Sequence, residues 1–214
     1  DLPTRLFHWS LAASVVALFI TAKVGGNAMT WHLRLGYVVL ALLLFRVVWG
    51  VVGGRWSRFA SFFYGPGRVL RYLRGQGEAQ EHVGHNPLGA LSVFALLGAL
   101  LAQVLTGLMA DDEIAFSGPL TRFVSGDTVA WATSLHTDVG QWLLVALVAL
   151  HLAAIAFYTH IKRHSLVRPM VLGDKQLPAS TPASRDDART RLLAAVVLAA
   201  AAAAAWWVAQ LGIF

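Results

Sequence analysis

Five long apolar stretches dominate this chain and leave it few folds to choose from: Leu6–Ala22, Leu35–Gly53, Leu88–Ala110, Val139–Thr159 and Leu192–Phe214. A helix rises 1.5 Å per residue, so about 20 apolar residues cross a hydrocarbon core roughly 30 Å thick. Lipid offers the backbone no water to bond, and a run of this length meets that demand as an α-helix. The expected fold is an all-α integral membrane protein, a four-helix transmembrane bundle followed by a fifth, C-terminal transmembrane helix. The first run is short, so Pro3–Arg5 is expected in its opening turn, and the second is interrupted only by Arg46. No basic segment precedes the first run and no small-residue cleavage site follows it, so it reads as a retained span. The chain starts at Asp1 without an initiator methionine, and a few preceding residues are expected.

Composition agrees, at 57% hydrophobic and 13% charged in 214 residues, where soluble domains carry about a quarter charged. The expected organisation is a core over 1–175, a linker over 176–190 and the added helix over 191–214. Pro178, Ser180, Pro182 and Ser184 mark the linker as flexible. Asn86-Pro87 reads as a helix start, with Asn capping and Pro in the first turn. Trp9, Trp31, Trp49, Trp56 and Trp131 lie near run ends, where indole favours the membrane interface. No internal repeat is evident.

The formal charge of +6 is an orientation signal. Lys and Arg number 12 in the connections after runs two and four, against 3 in the other two (Lys23, Arg34 and Arg122). By the positive-inside rule the N-terminus is cytoplasmic and the C-terminus periplasmic. The third connection, with Asp111, Asp112, Glu113, Asp127 and Asp138, then lies outside. The arginines are juxtamembrane and form no nucleic-acid-binding pattern.

With no cysteine in the chain, disulfides, thiolate zinc sites, Cys-held iron–sulfur clusters and covalently attached c-type haem are excluded. The reactive inventory is imidazole. Ionisable groups in membrane runs are functional suspects, and four of eight histidines lie in or at the mouths of the runs: His8, His32, His136 and His151. His136 and His151 are fifteen residues apart, about 22 Å along a helix. By depth the four sort into an inner layer, His8 with His151, and an outer layer, His32 with His136. Paired imidazoles at two depths suit two non-covalent b haems, each with a nitrogen above and below its iron. Interhelical hydrogen bonding, a bare metal such as zinc and a proton relay are the alternatives. His82, His85, His160 and His164 read as solvated interface residues. Arg46, near the inner layer, needs an anion if buried; a haem propionate would serve, and snorkelling to the interface is the alternative.

Several segments resemble the bacterial di-haem cytochrome b561 family, which includes the cytochrome b subunits of nickel–iron hydrogenases. They are Pro3-Thr4-Arg5-Leu6-Phe7-His8-Trp9, His32-Leu33-Arg34-Leu35-Gly36-Tyr37, Phe45-Arg46-Val47-Val48-Trp49-Gly50, Gly84-His85-Asn86-Pro87-Leu88-Gly89, Thr106-Gly107, and the pair His136 and His151. The resemblance covers residues 3–172. It implies a four-helix core with two b haems whose iron ligands are His8, His32, His136 and His151. It also implies electron transfer between quinone and a redox partner. The family's helix-four histidines are expected one residue closer together than here, and a π-bulge would absorb the extra residue. The fifth helix lies outside the usual core, and its small residues suit docking of a partner subunit.

The resulting expectation is an inner-membrane cytochrome b of a respiratory chain, working with a periplasmic redox protein such as a c-type cytochrome or a hydrogenase. Quinone is expected near Arg46, Arg71, His85 and Asn86. A stand-alone haem oxidoreductase acting on superoxide or a metal ion, and a haem-free anchor or transporter, are the rival readings.

Overall fold

A computed structural model describes residues 1–77, 83–174 and 181–212 of the chain. Glu78, Glu81, His82, Lys175 and the first part of the expected linker lie outside the described residues.

Helix α1 (Leu2–Val24) starts where Asp1 caps the Thr4 amide at 2.9 Å, with Pro3 in the first turn as expected. It ends at Gly25 and Gly26, whose φ values of 65° and 52° favour glycine. The chain thus reverses within a few residues, and α2 (Ala28–Val52) packs antiparallel against α1. A short amphipathic helix α3 (Pro66–Leu73) follows. Helix α4 (Pro87–Met109) starts at the expected Asn86 cap, whose side-chain oxygen accepts the Gly89 amide at 2.7 Å.

The fourth span is one helical run of 36 residues, Gly126–Ile161. It comprises α5 (Gly126–Ser134), a π-helical segment Leu135–Gly140, α6 (Gln141–Ala156) and a second π segment Phe157–Ile161. At about 1.5 Å per residue it is some 54 Å long and must outreach the hydrocarbon on at least one side. Short α7 (Val167–Leu172) is tied to α1, with Trp9 Nε1 donating to the Met170 carbonyl at 3.0 Å and Arg5 to that of Val171 at 2.7 Å. The fifth span is α8 (Ala188–Gln210), capped by Asp187. All five apolar runs are thus helices long enough to cross a membrane.

Three boundaries depart from expectation because hydropathy runs stop at polar residues and helices do not. The fourth helix begins at Gly126, where Ser125 caps it, rather than at Val139, so His136 lies inside the helix. Helix α2 begins at Ala28, which places His32 in its second turn. Helix α8 begins at Ala188 rather than Leu192, and Ile213 and Phe214 lie outside the described residues. Trp49 corrects the interface reading of the tryptophans: it is fully buried and stacked on Phe45 at 5.7 Å.

Helix α2 is central, packing on α1, α4 and α8. Phe7, Leu11, Val39, Leu42, Leu43, Phe45, Trp49 and Leu100 form the main core with Ala194 and Ala201 of α8. Those alanines, with Ala205, let α8 approach closely. In contrast, α6 is apolar all round and buries no residue. The fourth span is therefore loosely packed over α6, where His151 lies, and close to α4 at His136.

Candidate functional site

The four histidines meet in two pairs, as their depth ordering predicts. His8 of α1 faces His151 of α6 with ring centroids 6.5 Å apart, and His32 of α2 faces His136 of the first π segment at 6.1 Å. A metal ion bonded to two imidazoles at about 2.0–2.1 Å each would set the centroids about 6.3 Å apart. Both centroid separations lie close to that value. A bare ion would want further ligands, and no group of three or more His, Cys, Asp or Glu is placed to hold one among the described residues. A porphyrin brings its own equatorial nitrogens, so two axial imidazoles suffice.

Hydrogen bonds decide which ring nitrogen is available in the His32–His136 pair. Nδ1 of His32 lies 3.0 Å from the Leu18 carbonyl, and Nδ1 of His136 lies 2.9 Å from the Gln103 carbonyl. A carbonyl only accepts, so each Nδ1 must carry the proton, leaving the Nε2 lone pair for a metal. In the other pair, His8 Nδ1 is buried with no partner among the described residues.

Glycines shape the surroundings. A Cβ on Gly107 would come within 2.7 Å of His136 Cε1, so only glycine lets that ring lie on α4. Gly36, one turn beyond His32, faces open space, with nothing within 4 Å of a built Cβ. Relief beside a candidate ligand is what a flat macrocycle between helices requires.

Arg46 is buried at 3% exposure, which rules against snorkelling. Its guanidinium lies 4.4 Å from the Phe59 ring centroid, and Nη1 is buried without a hydrogen-bond partner. Gly50, one turn along α2, makes room for Phe59: a Cβ there would come within 2.1 Å of the ring. Among the described residues the ion pairs join Arg185 to Asp187 and Arg191 to Asp186, and none reaches Arg46. A desolvated guanidinium with an unused donor calls for an anionic acceptor, and a carboxylate suits its forked geometry. The residues present therefore fit haem: paired imidazoles, open space, and a buried cation for a propionate.

Of the residues expected near quinone, His85 is joined to Arg46 by a chain of rings, Phe62 and then Phe59. The His85 ring packs on Phe62 at 4.5 Å, its carbonyl accepts from Tyr64 Oη at 2.9 Å, and Asn86 is committed to the Gly89 amide. Arg71 lies on exposed α3.

Sequence reasoning passed over Gln103. Its carbonyl receives the His136 Nδ1 proton, and its side-chain amide donates to the His136 carbonyl at 2.8 Å. The available signal was an amide amid the apolar residues of the third run, a polar group that lipid would penalise unless partnered.

Comparison with known proteins points to one family. The family model for the prokaryotic cytochrome b561 matches residues 1–173. A probable Ni/Fe-hydrogenase B-type cytochrome subunit of Azotobacter chroococcum is 29% identical, with 81% of this chain and 85% of the relative covered. Its counterpart in Bradyrhizobium diazoefficiens is 26% identical, with 82% and 84% covered. The probable Ni/Fe-hydrogenase 1 B-type cytochrome subunit of Escherichia coli is 25% identical, with 71% and 78% covered. No solved structure matches the chain.

Proposed function

The chain belongs to the prokaryotic cytochrome b561 family, a family of membrane haem proteins that transfer electrons, and on that premise we propose that it carries electrons across the bacterial inner membrane through two b haems. The observation that carries this reading is the pair of imidazole couples at 6.5 Å and 6.1 Å, separated along the fourth span by the distance from His136 to His151. His8 and His151 are the axial ligands of the inner haem, His32 and His136 those of the outer. Arg46 neutralises a propionate at the inner level. Bound haem supplies one-electron chemistry, while the protein orients the imidazoles, selects their tautomers and excludes water.

Residues 1–175 form the haem-holding unit, 176–190 the link and 191–214 the added helix. The arginine-rich connections lie in the cytoplasm, which puts the N-terminus there and the C-terminus in the periplasm. The hydrogenase subunits among the relatives support a hydrogenase, or a similar periplasmic redox protein, as electron partner. The acidic connection of Asp111, Asp112, Glu113, Asp127 and Asp138 would steer a basic surface toward the outer haem. Quinone is the partner on the other side of the exchange, with Arg71, His85 and Asn86 as its candidate contacts.

A dithionite-reduced minus oxidised spectrum with a pyridine haemochrome count tests the reading. Two b haems per chain are expected. A reduced protein without a b-type α-band would overturn it and favour a haem-free anchor.

A further inference from the structure

Of the two π segments in the 36-residue helical run, Leu135–Gly140 contains one of the four histidines, His136. Changing from i+4 to i+5 bonding widens the turn and costs the ladder a carbonyl partner. Side-chain amides come to the carbonyls of this turn: Gln103 Nε2 donates to the His136 carbonyl at 2.8 Å, and Gln141 Nε2 donates to that of Thr137. Gln103 differs from Gln141 in coming from another helix and in joining α4 to this turn beside a second bond, from His136 Nδ1 to the main-chain carbonyl of residue 103 at 2.9 Å. Two glycines complete the seat. Gly140 leaves room for the amide, because a Cβ there would fall 1.8 Å from Gln103 Oε1. Gly107, one turn from Gln103 on α4, leaves room for the imidazole. No equivalent holds the inner pair, where His8 Nδ1 lacks a partner among the described residues.

We propose that Gln103 is a positioning residue for the outer haem: by bridging the π-turn its side chain holds the His136 main chain against α4, so that the ring keeps its direction and its Nδ1–H bond to the main-chain carbonyl of residue 103, and so sets the outer haem's potential independently of the inner one. A histidine whose Nδ1–H is donated to a carbonyl is a more basic ligand than one without that bond. A more basic ligand favours ferric iron, so the outer haem is held at the lower potential while the Gln103 side chain keeps the turn in place, and loosening the turn lengthens the Nδ1–H hydrogen bond and raises that potential. This inference rests on the haem ligation proposed above, and the two fail separately. Wild-type protein without b haem defeats the ligation. Wild-type protein with two haems but an outer haem indifferent to Gln103 defeats only the inference.

The experiment is potentiometric titration of both haems in Gln103→Met, which keeps length but cannot donate, with low-temperature EPR of the oxidised protein. The outer haem is assigned by its loss in His136→Ala. The expected result is a rise in the outer midpoint and a moved outer low-spin signal, with the inner haem unchanged. Gly140→Ala should produce the same outer shift by displacing the amide, and adding it to Gln103→Met should change little more. Loss of the outer haem alone in either variant also supports the role. An unchanged outer haem, equal shifts of both haems, or loss of both would overturn it.

Discussion

Replacing Arg46 with methionine should have opposite effects on the haem-free and haem-loaded protein. The side chain is 3% exposed and has a buried, unpartnered Nη1. Without an anion the guanidinium therefore destabilises the fold, since a buried donor left unsatisfied costs about 1–3 kcal/mol. Its face contact with Phe59 at 4.4 Å offsets part of that, a desolvated cation–π contact contributing about 2 kcal/mol. Methionine keeps the length and can still pack on the ring, with sulfur–aromatic contact contributing about 0.3–1.5 kcal/mol. The apo protein should thus be no less stable after Arg46→Met. The loaded protein should lose a charge-assisted bond to a propionate, worth about 1.5–3 kcal/mol. At 1.4 kcal/mol per decade that is a roughly ten- to hundredfold weaker inner haem. The assay is haem titration into purified apo protein, with thermal unfolding of both forms in detergent. Unchanged inner-haem affinity would refute the propionate role. A marked fall in apo stability would instead show that Arg46 has a structural partner.

Three further outcomes are expected. His151→Ala should reduce the haem count from two to one and leave the outer signals in place, whereas equal loss of both haems would contradict the layered pairing. Gly50→Ala drives a methyl to 2.1 Å from Phe59, and overpacking of this kind costs about 1–3 kcal/mol, partly offset by the roughly 1 kcal/mol helix preference of alanine; an unchanged melting temperature would show that Phe59 moves aside freely. In the acidic loop, amides of Phe116, Ala115 and Ile114 donate to Asp112 and hold its carboxyl below the ordinary range. The bound form is the ionised one, so the loop's order is intact above the ordinary carboxylate range and is lost as pH falls through the lowered value. Amide exchange at Ala115 and Phe116 should accelerate only in that acid window, and acceleration near neutral pH would refute the assignment.

The legible and illegible parts of the site separate along physical lines. His8, His32, His136 and His151 could be layered because depth follows from rise per residue and from which side each run enters, both properties of a single helix. The interval one residue longer than expected already suggested a π-turn, and the structure has one at Leu135–Gly140. Gln103 was not legible as its support, because the bond to His136 joins residues 33 apart on different helices. Trp49 misled for a similar reason: indole near a run end favours an interface, yet here the aromatic ring of Phe45 and the chain after α2 enclose it.

By itself, the sequence determined that five runs are long and apolar enough to cross a membrane, that no haem is attached to the chain through cysteine, and that four histidines lie in or beside those runs. Those conclusions follow from run length, a missing residue type and residue spacing, all of which are local. Tertiary structure decided what depends on residues distant in sequence. Arg46 is sealed beneath Phe59 rather than reaching for water. The alanines of α8 lie on α2 instead of standing free. Gln103 fills the turn opened at His136. Each is a packing outcome between helices, where apolar runs look alike to lipid and only close contact between particular side chains distinguishes one arrangement from another.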